Sequence, residues 1–166
     1  MICPYPISDI LFTSLIQKDI KSGFDYLNRI DEQFTDDLDL RMYKCLLYYF
    51  DHEYTKSKEC IASFLRDVKN SKYHENFIRA ENFIRALKYM MDNKPMKAIA
   101  NFETCYQIAL KNGQYDRAIF VLKQLNELYL DHGLQNTLKK VKESQENFYK
   151  MSHANQIIED IGLKLN

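Results

Sequence analysis

Apolar residues recur at three- and four-residue intervals through most of the chain, the spacing of helices that bury one face. No run alternates apolar with polar residues as a half-buried strand would, so the prediction is an all-α fold. Ala98, Phe102 and Cys105 fall at i, i+4 and i+7 of a helix expected from Ala98 to Lys111, with Pro95 before it suited to a first helical position and Asn112-Gly113 ending it. The next helix, about Tyr115 to Asp131, aligns Ala118, Leu122, Leu125 and Tyr129 on one stripe. It stops at His132-Gly133, because glycine readily takes the left-handed backbone that ends helices.

The same reading extends in both directions. Ser8-Asp9 is the expected N-cap of a first helix running to about Lys18, with Ile10, Leu11, Ser14 and Leu15 on one side, and its partner spans Ile20 to Ile30. Thr35, Asp36 and Asp37 supply a capping oxygen and negative charge for a helix from Asp37 to Phe50. Tyr54 to Val68 follows, turning Ser57, Ile61 and Phe64 inward. A longer helix from Tyr73 to Met91 contains the duplication ENFIRA-ENFIRA at 75–86. Six residues are not a whole number of helical turns, so the two copies must face different directions. Further helices near 134–150 and 152–163 bring the total to about eight.

The turns at Asp19, His52, Asn93 and Gly133 are 33, 41 and 40 residues apart, which indicates helical pairs repeated along the chain. Asn93 has Tyr89 four residues before it, Ala98 five after and Phe102 nine after. This pattern resembles the tetratricopeptide repeat. Around His52 the equivalents are Tyr48, Ser57 and Ile61, and around Gly133 they are Tyr129, Leu138 and Lys142, so the later positions of those units depart from it. The 89–133 stretch is similar to the tetratricopeptide domains of peptide-pheromone-responsive regulators of Gram-positive bacteria. The resemblance implies antiparallel helix pairs stacked as a short right-handed superhelix. One domain over 1–166 would hold units at about 8–34, 35–70, 73–112 and 115–150, closed by a capping helix at 152–165.

Charge adds little direction. The 23 basic and 23 acidic residues cancel, so the surface lacks the broad positive field of a nucleic-acid or membrane binder. No apolar run reaches the length of a membrane span, and the N-terminus lacks the features of a secretory signal, so a cytoplasmic location is expected. Cys3, Cys45, Cys60 and Cys105 lack C-x-x-C spacing and read as reduced core thiols.

Nor does any constellation mark chemistry. The histidines at 52, 74, 132 and 153 sit in turns or at helix ends without the spacing of a zinc-protease helix, and isolated glycines make no phosphate cradle. The expectation is a non-enzymatic module without catalytic, cofactor or metal residues. The resemblance instead implies a concave groove lined by the first helix of each pair. It points to Met42, Leu46 and Tyr49, then Phe83, Leu87 and Met90, then Lys123 and Glu127, with Arg79, Asn82 and Asn126 able to hold a ligand's carboxylate or backbone. The expected partner is a peptide or protein segment within a bacterial regulatory system, with no direct nucleic-acid contact and no membrane. The alternative is a small secretion chaperone that shields an extended segment of a partner. The terminal helix could cap its own chain or join two copies as a homodimer.

Overall fold

The computed structural model describes residues 7–31 and 37–133. Its regular structure is entirely helical: α1 (Ile7–Ile16), α2 (Ile20–Asp31), α3 (Leu38–Phe50), α4 (Tyr54–Asn70), a 3-10 helix (His74–Phe77), α5 (Ile78–Met91), α6 (Pro95–Lys111) and α7 (Tyr115–Asp131). The two further helices expected near 134–150 and 152–163 lie outside the described residues. None of the described helices is long and apolar enough to cross a membrane.

Local chemistry explains the ends. The Asp37 carboxylate accepts from the backbone N–H groups of Asp39 and Leu40, at 2.8 and 3.3 Å, and so caps α3. Pro95 opens α6, where its missing N–H costs nothing. Ser8 and Asp9 correct the expected cap of α1: the helix already begins at Ile7, which places both residues in its first turn. Asp9 is used for a distant contact instead.

Among the described residues, five turns share one geometry. Lys18, His52, Asn93, Gly113 and Gly133 all have left-handed backbone, with φ between 54° and 67°. At the first four, the next residue's N–H reaches back five residues, as Glu53 does to the Tyr48 carbonyl at 2.9 Å. These are Schellman closures, which satisfy carbonyls that the ending helix leaves open. The left-handed residue of the first turn is Lys18, so Lys18, His52, Asn93 and Gly133 stand 34, 41 and 40 residues apart.

The start of α5 also differs from expectation. The chain forms a 3-10 turn over His74–Phe77 and becomes α-helical only at Ile78. Seven residues of α-helix span about 10 Å, yet the turn brings His74 Nε2 to 2.7 Å from Glu81 Oε2. The duplicated hexapeptide therefore has two environments. Phe83 and Ile84 of the second copy are buried, whereas Phe77 and Ile78 of the first are partly open.

Packing follows the chain. Each helix lies against its sequence neighbours, and α3 also packs on both α1 and α5. Ser57 is fully buried, with its hydroxyl donating to the Cys45 carbonyl at 3.2 Å, where α4 crosses α3. Ala98 and Ala118 are fully buried too, and the absence of a long side chain at these positions permits close approach. Of the tyrosines sharing one turn position, Tyr129 is buried and its hydroxyl donates to Glu103. Tyr48 and Tyr89 are only half-buried, Tyr48 lying 5.0 Å from the Phe24 ring.

Candidate functional site

The first and last described helices meet. Phe120 of α7 is the centre of this contact: its ring lies 5.4 Å from Phe12 of α1, 5.9 Å from Phe50 of α3 and 5.8 Å from Phe83 of α5, between ring centroids. The contacts with Phe12 and Phe50 are edge-on and that with Phe83 is stacked, arrangements that the ring quadrupole favours. One turn earlier, Arg117 adds a polar clasp. Its guanidinium lies 3.7 Å from the Phe12 ring centroid, donates to Asp9 Oδ1 at 2.9 Å and pairs with Asp116. The Arg117 side chain is only 14% exposed, whereas the Asp9 carboxylate it meets is 50% exposed, so the pair lies at the edge of the packed region.

Two spaces of unequal size lie beside this contact among the described residues. The smaller, about 20 Å³, lies between Phe12, Met42, Tyr43, Arg79, Phe83 and Arg117 and has room for about one water molecule. The larger is a cleft of about 310 Å³ where the ends of α1 and α3 face the middle of α7. Leu15, Ile16, Ile20, Phe50 and Phe120 give it an apolar wall. Lys18, His52, Lys123, Gln124 and Glu127 form its polar rim.

The electrostatics of the cleft follow from partial burial. Desolvation holds the Lys123 ammonium below its ordinary range, and the neighbouring charge of Lys18 adds to this while Glu127 opposes it. Tyr49, beside the cleft, is pushed up to about 12, first by burial and then by the charges of Tyr54 and Glu127. His52 keeps its Nδ1 at 2.9 Å from the Tyr54 hydroxyl. Lys18 and Lys123 are the lysines, and Glu127 the carboxylate, among the described residues that line the cleft.

The residues expected to share one groove are therefore separated. Lys123 and Glu127 line the cleft, with Tyr49 near Glu127. Met42 and Phe83 are instead core residues, 6% and 5% exposed, because the opposing Phe120 fills the space in front of them. Arg79 reaches the same small cavity. Leu46 and Leu87 are buried, and Met90 is half-buried against the core. Asn82 spends its amide locally, donating to the Ile78 carbonyl at 2.8 Å. Asn126 is half-buried, and its Oδ1 is buried with no hydrogen-bond partner among the described residues.

Comparison with known proteins finds no match. No family model matches the chain, and neither does any curated protein or solved structure.

The remaining polar chemistry has local partners. His74 and Arg85 hold Glu81 between them, Arg85 Nη2 lying 2.6 Å from Oε1. Burial pushes the Glu81 carboxyl up, but hydrogen bonds and charge from His74 and Arg85 outweigh it and leave the group below its usual range. His132 Nδ1 lies 2.9 Å from the Leu128 carbonyl at the end of α7, the role expected of a histidine there. His153 lies outside the described residues. Lys18, Phe50, His52, Phe120 and Gln124 were missed as cleft residues. Their sequence patterns predict turns and buried faces, and only the meeting of α1 with α7, 108 residues apart at Asp9 and Arg117, gives them a common space.

Proposed function

We propose that this chain is a non-enzymatic binding module, built as a tetratricopeptide-like stack of helical pairs, that takes a short peptide end or the tip of a protein segment into the cleft between α1, α3 and α7. The observation that carries the reading is the cleft itself: about 310 Å³, walled by five apolar side chains and rimmed by a few polar ones. That size and lining are those of small-ligand sites, which orient a mostly apolar guest with a small number of polar groups. A regulatory role in a bacterial cytoplasm accords with the resemblance of the 89–133 stretch to peptide-responsive regulators. The chaperone alternative is less well supported, because shielding a long extended segment requires an open inner face and Phe120 occupies much of it.

A soluble random-peptide library, selected by affinity and identified by mass spectrometry, tests the proposal. Wild-type protein should retain a defined set of short peptides. Gln124→Trp, which places an indole in the cleft from a half-buried rim position, should lose them while keeping its helical circular-dichroism spectrum. Equal capture by the folded Gln124→Trp variant would reject the cleft as the site.

A further inference from the structure

We propose that Cys45 and Cys60 are a reversible redox pair, which a peroxide converts into a disulfide joining α3 to α4. The two helices pack together and are joined by only three residues, so they run antiparallel. In a helix the carbonyl points toward the C-terminus, whereas the Cα–Cβ bond tilts toward the N-terminus. The Cys45 carbonyl accepts from Ser57 Oγ at 3.2 Å, which fixes where α4 crosses α3. The Cys45 side chain therefore leans from Ser57 toward the C-terminal half of α4. Cys60 lies on that side, three residues and nearly one turn beyond Ser57. The two thiols meet there, the Cys45 S–H donating to the Cys60 sulfur. Cys105 has a different setting, fully buried on α6 beside Arg79.

Access sets the order of events. Cys45 is 1% exposed, whereas Cys60 is only half-buried, so a peroxide reaches Cys60 first. The Cys45 hydrogen bond does most to favour the Cys60 thiolate, and the charges of Lys44 and Arg41 assist it against burial and Glu59. The thiolate attacks hydrogen peroxide: an S–O bond forms, the O–O bond breaks, and Cys60 becomes a sulfenic acid as hydroxide departs. The Cys45 sulfur then attacks the Cys60 sulfur, and the sulfenic hydroxyl leaves with the Cys45 proton as water. The two sulfurs have together lost the two electrons that the peroxide gained. Contact with Cys60 is also the chief cause that keeps the Cys45 thiol protonated. Turning the Cys60 thiolate into a neutral sulfenic acid removes that charge and readies Cys45 to attack. A dithiol reductant restores both thiols by exchange. Neither cysteine lines the cleft, so this chemistry stands apart from what the cleft binds.

The test treats the folded wild-type protein with hydrogen peroxide near neutral pH, blocks the remaining thiols with N-ethylmaleimide in urea and maps tryptic peptides without reduction. Trypsin places Cys45 in residues 45–56 and Cys60 in residues 59–66, so a bond between them joins two separate peptides. The joined pair should be lighter than the two free peptides by two hydrogen atoms and should part on adding dithiothreitol, while Cys105 is recovered as its maleimide adduct. Cys45→Ala should lose the link and leave Cys60 as a sulfenic acid that dimedone traps. Cys60→Ala should lose the link and leave Cys45 without a dimedone adduct. Recovery of both wild-type thiols as maleimide adducts would overturn the proposal. So would Cys60 oxidised beyond the sulfenic acid beside a still-reduced Cys45, or Cys60 joined to Cys3, Cys105 or a second chain. Equal dimedone labelling of Cys60 in wild type and Cys45→Ala would overturn the part assigned to Cys45.

Discussion

Replacing Phe120 with alanine probes the contact on which the cleft depends. The ring is 8% exposed and touches Phe12, Phe50 and Phe83, on three different helices. Truncating a buried phenylalanine costs about 3–5 kcal/mol through lost transfer energy and the cavity left behind. Each aromatic pair is worth about 0.5–1.5 kcal/mol beyond its area. Phe120 makes three such pairs, so a loss of about 4 kcal/mol is expected, within the range just given. For a domain stable by about 5–15 kcal/mol that is a large fraction. With a urea slope of about 2 kcal/mol/M, the unfolding midpoint should fall by about 2 M. Circular dichroism at 222 nm across a urea series measures it, with Leu130→Ala as control. Leu130 is exposed on the same helix and should stay within about 0.5 kcal/mol of wild type. A loss below about 1 kcal/mol for Phe120→Ala, the size of an ordinary substitution, would refute the argument that this ring joins α7 to α1, α3 and α5.

Three other expectations use independent parts of the molecule. Because the Glu81 carboxyl titrates below its unfolded value of about 4.3, its contribution to stability is present above that pH and is lost as pH falls through the folded value. Glu81→Gln should therefore flatten the stability profile below about pH 4.3 in acid denaturation, and an unchanged slope would contradict the His74–Glu81–Arg85 arrangement. Gly113→Ala should cost about 1–2 kcal/mol from backbone strain alone, since φ is +67° and an added Cβ meets nothing within 4 Å. Full stability in thermal melts would argue against the left-handed turn. Cys60 is held below the ordinary thiol range, chiefly by a hydrogen bond from the Cys45 thiol, whereas burial raises Cys105 to about 12. At pH 8, iodoacetamide followed by mass spectrometry should label Cys60 before Cys45 or Cys105, and equal rates would contradict the distinct environments.

The helices were largely legible because their signals are local. Ala98, Phe102 and Cys105 repeat at helical spacing, Pro95 and Asp37 start helices, and Gly113 and Gly133 end them, so α6 and α7 could be read to within a few residues. The 3-10 turn before α5 was not, because periodicity cannot register the link between His74 and Glu81 that accompanies it. The site was legible only in part. Repeat position indicates which way Met42 and Phe83 face, but not how near the opposing helix comes, and Phe120 converts those positions from a groove into core. Lys123 and Glu127 remain at a cleft because their side of α7 faces the ends of α1 and α3, where Lys18 and His52 turn the chain. No single segment encodes that meeting.

The closure of α7 on α1 is the claim from which the cleft and its ligand chemistry follow, and isotope-edited nuclear Overhauser spectroscopy tests it most directly. The account predicts cross-peaks from the Phe120 ring protons to those of both Phe12 and Phe50, at the 5.4 and 5.9 Å centroid separations of the structure. If assigned Phe120 protons instead contact only α5 and α6, with no cross-peak to α1 or α3, the inner face is open and the cleft does not exist.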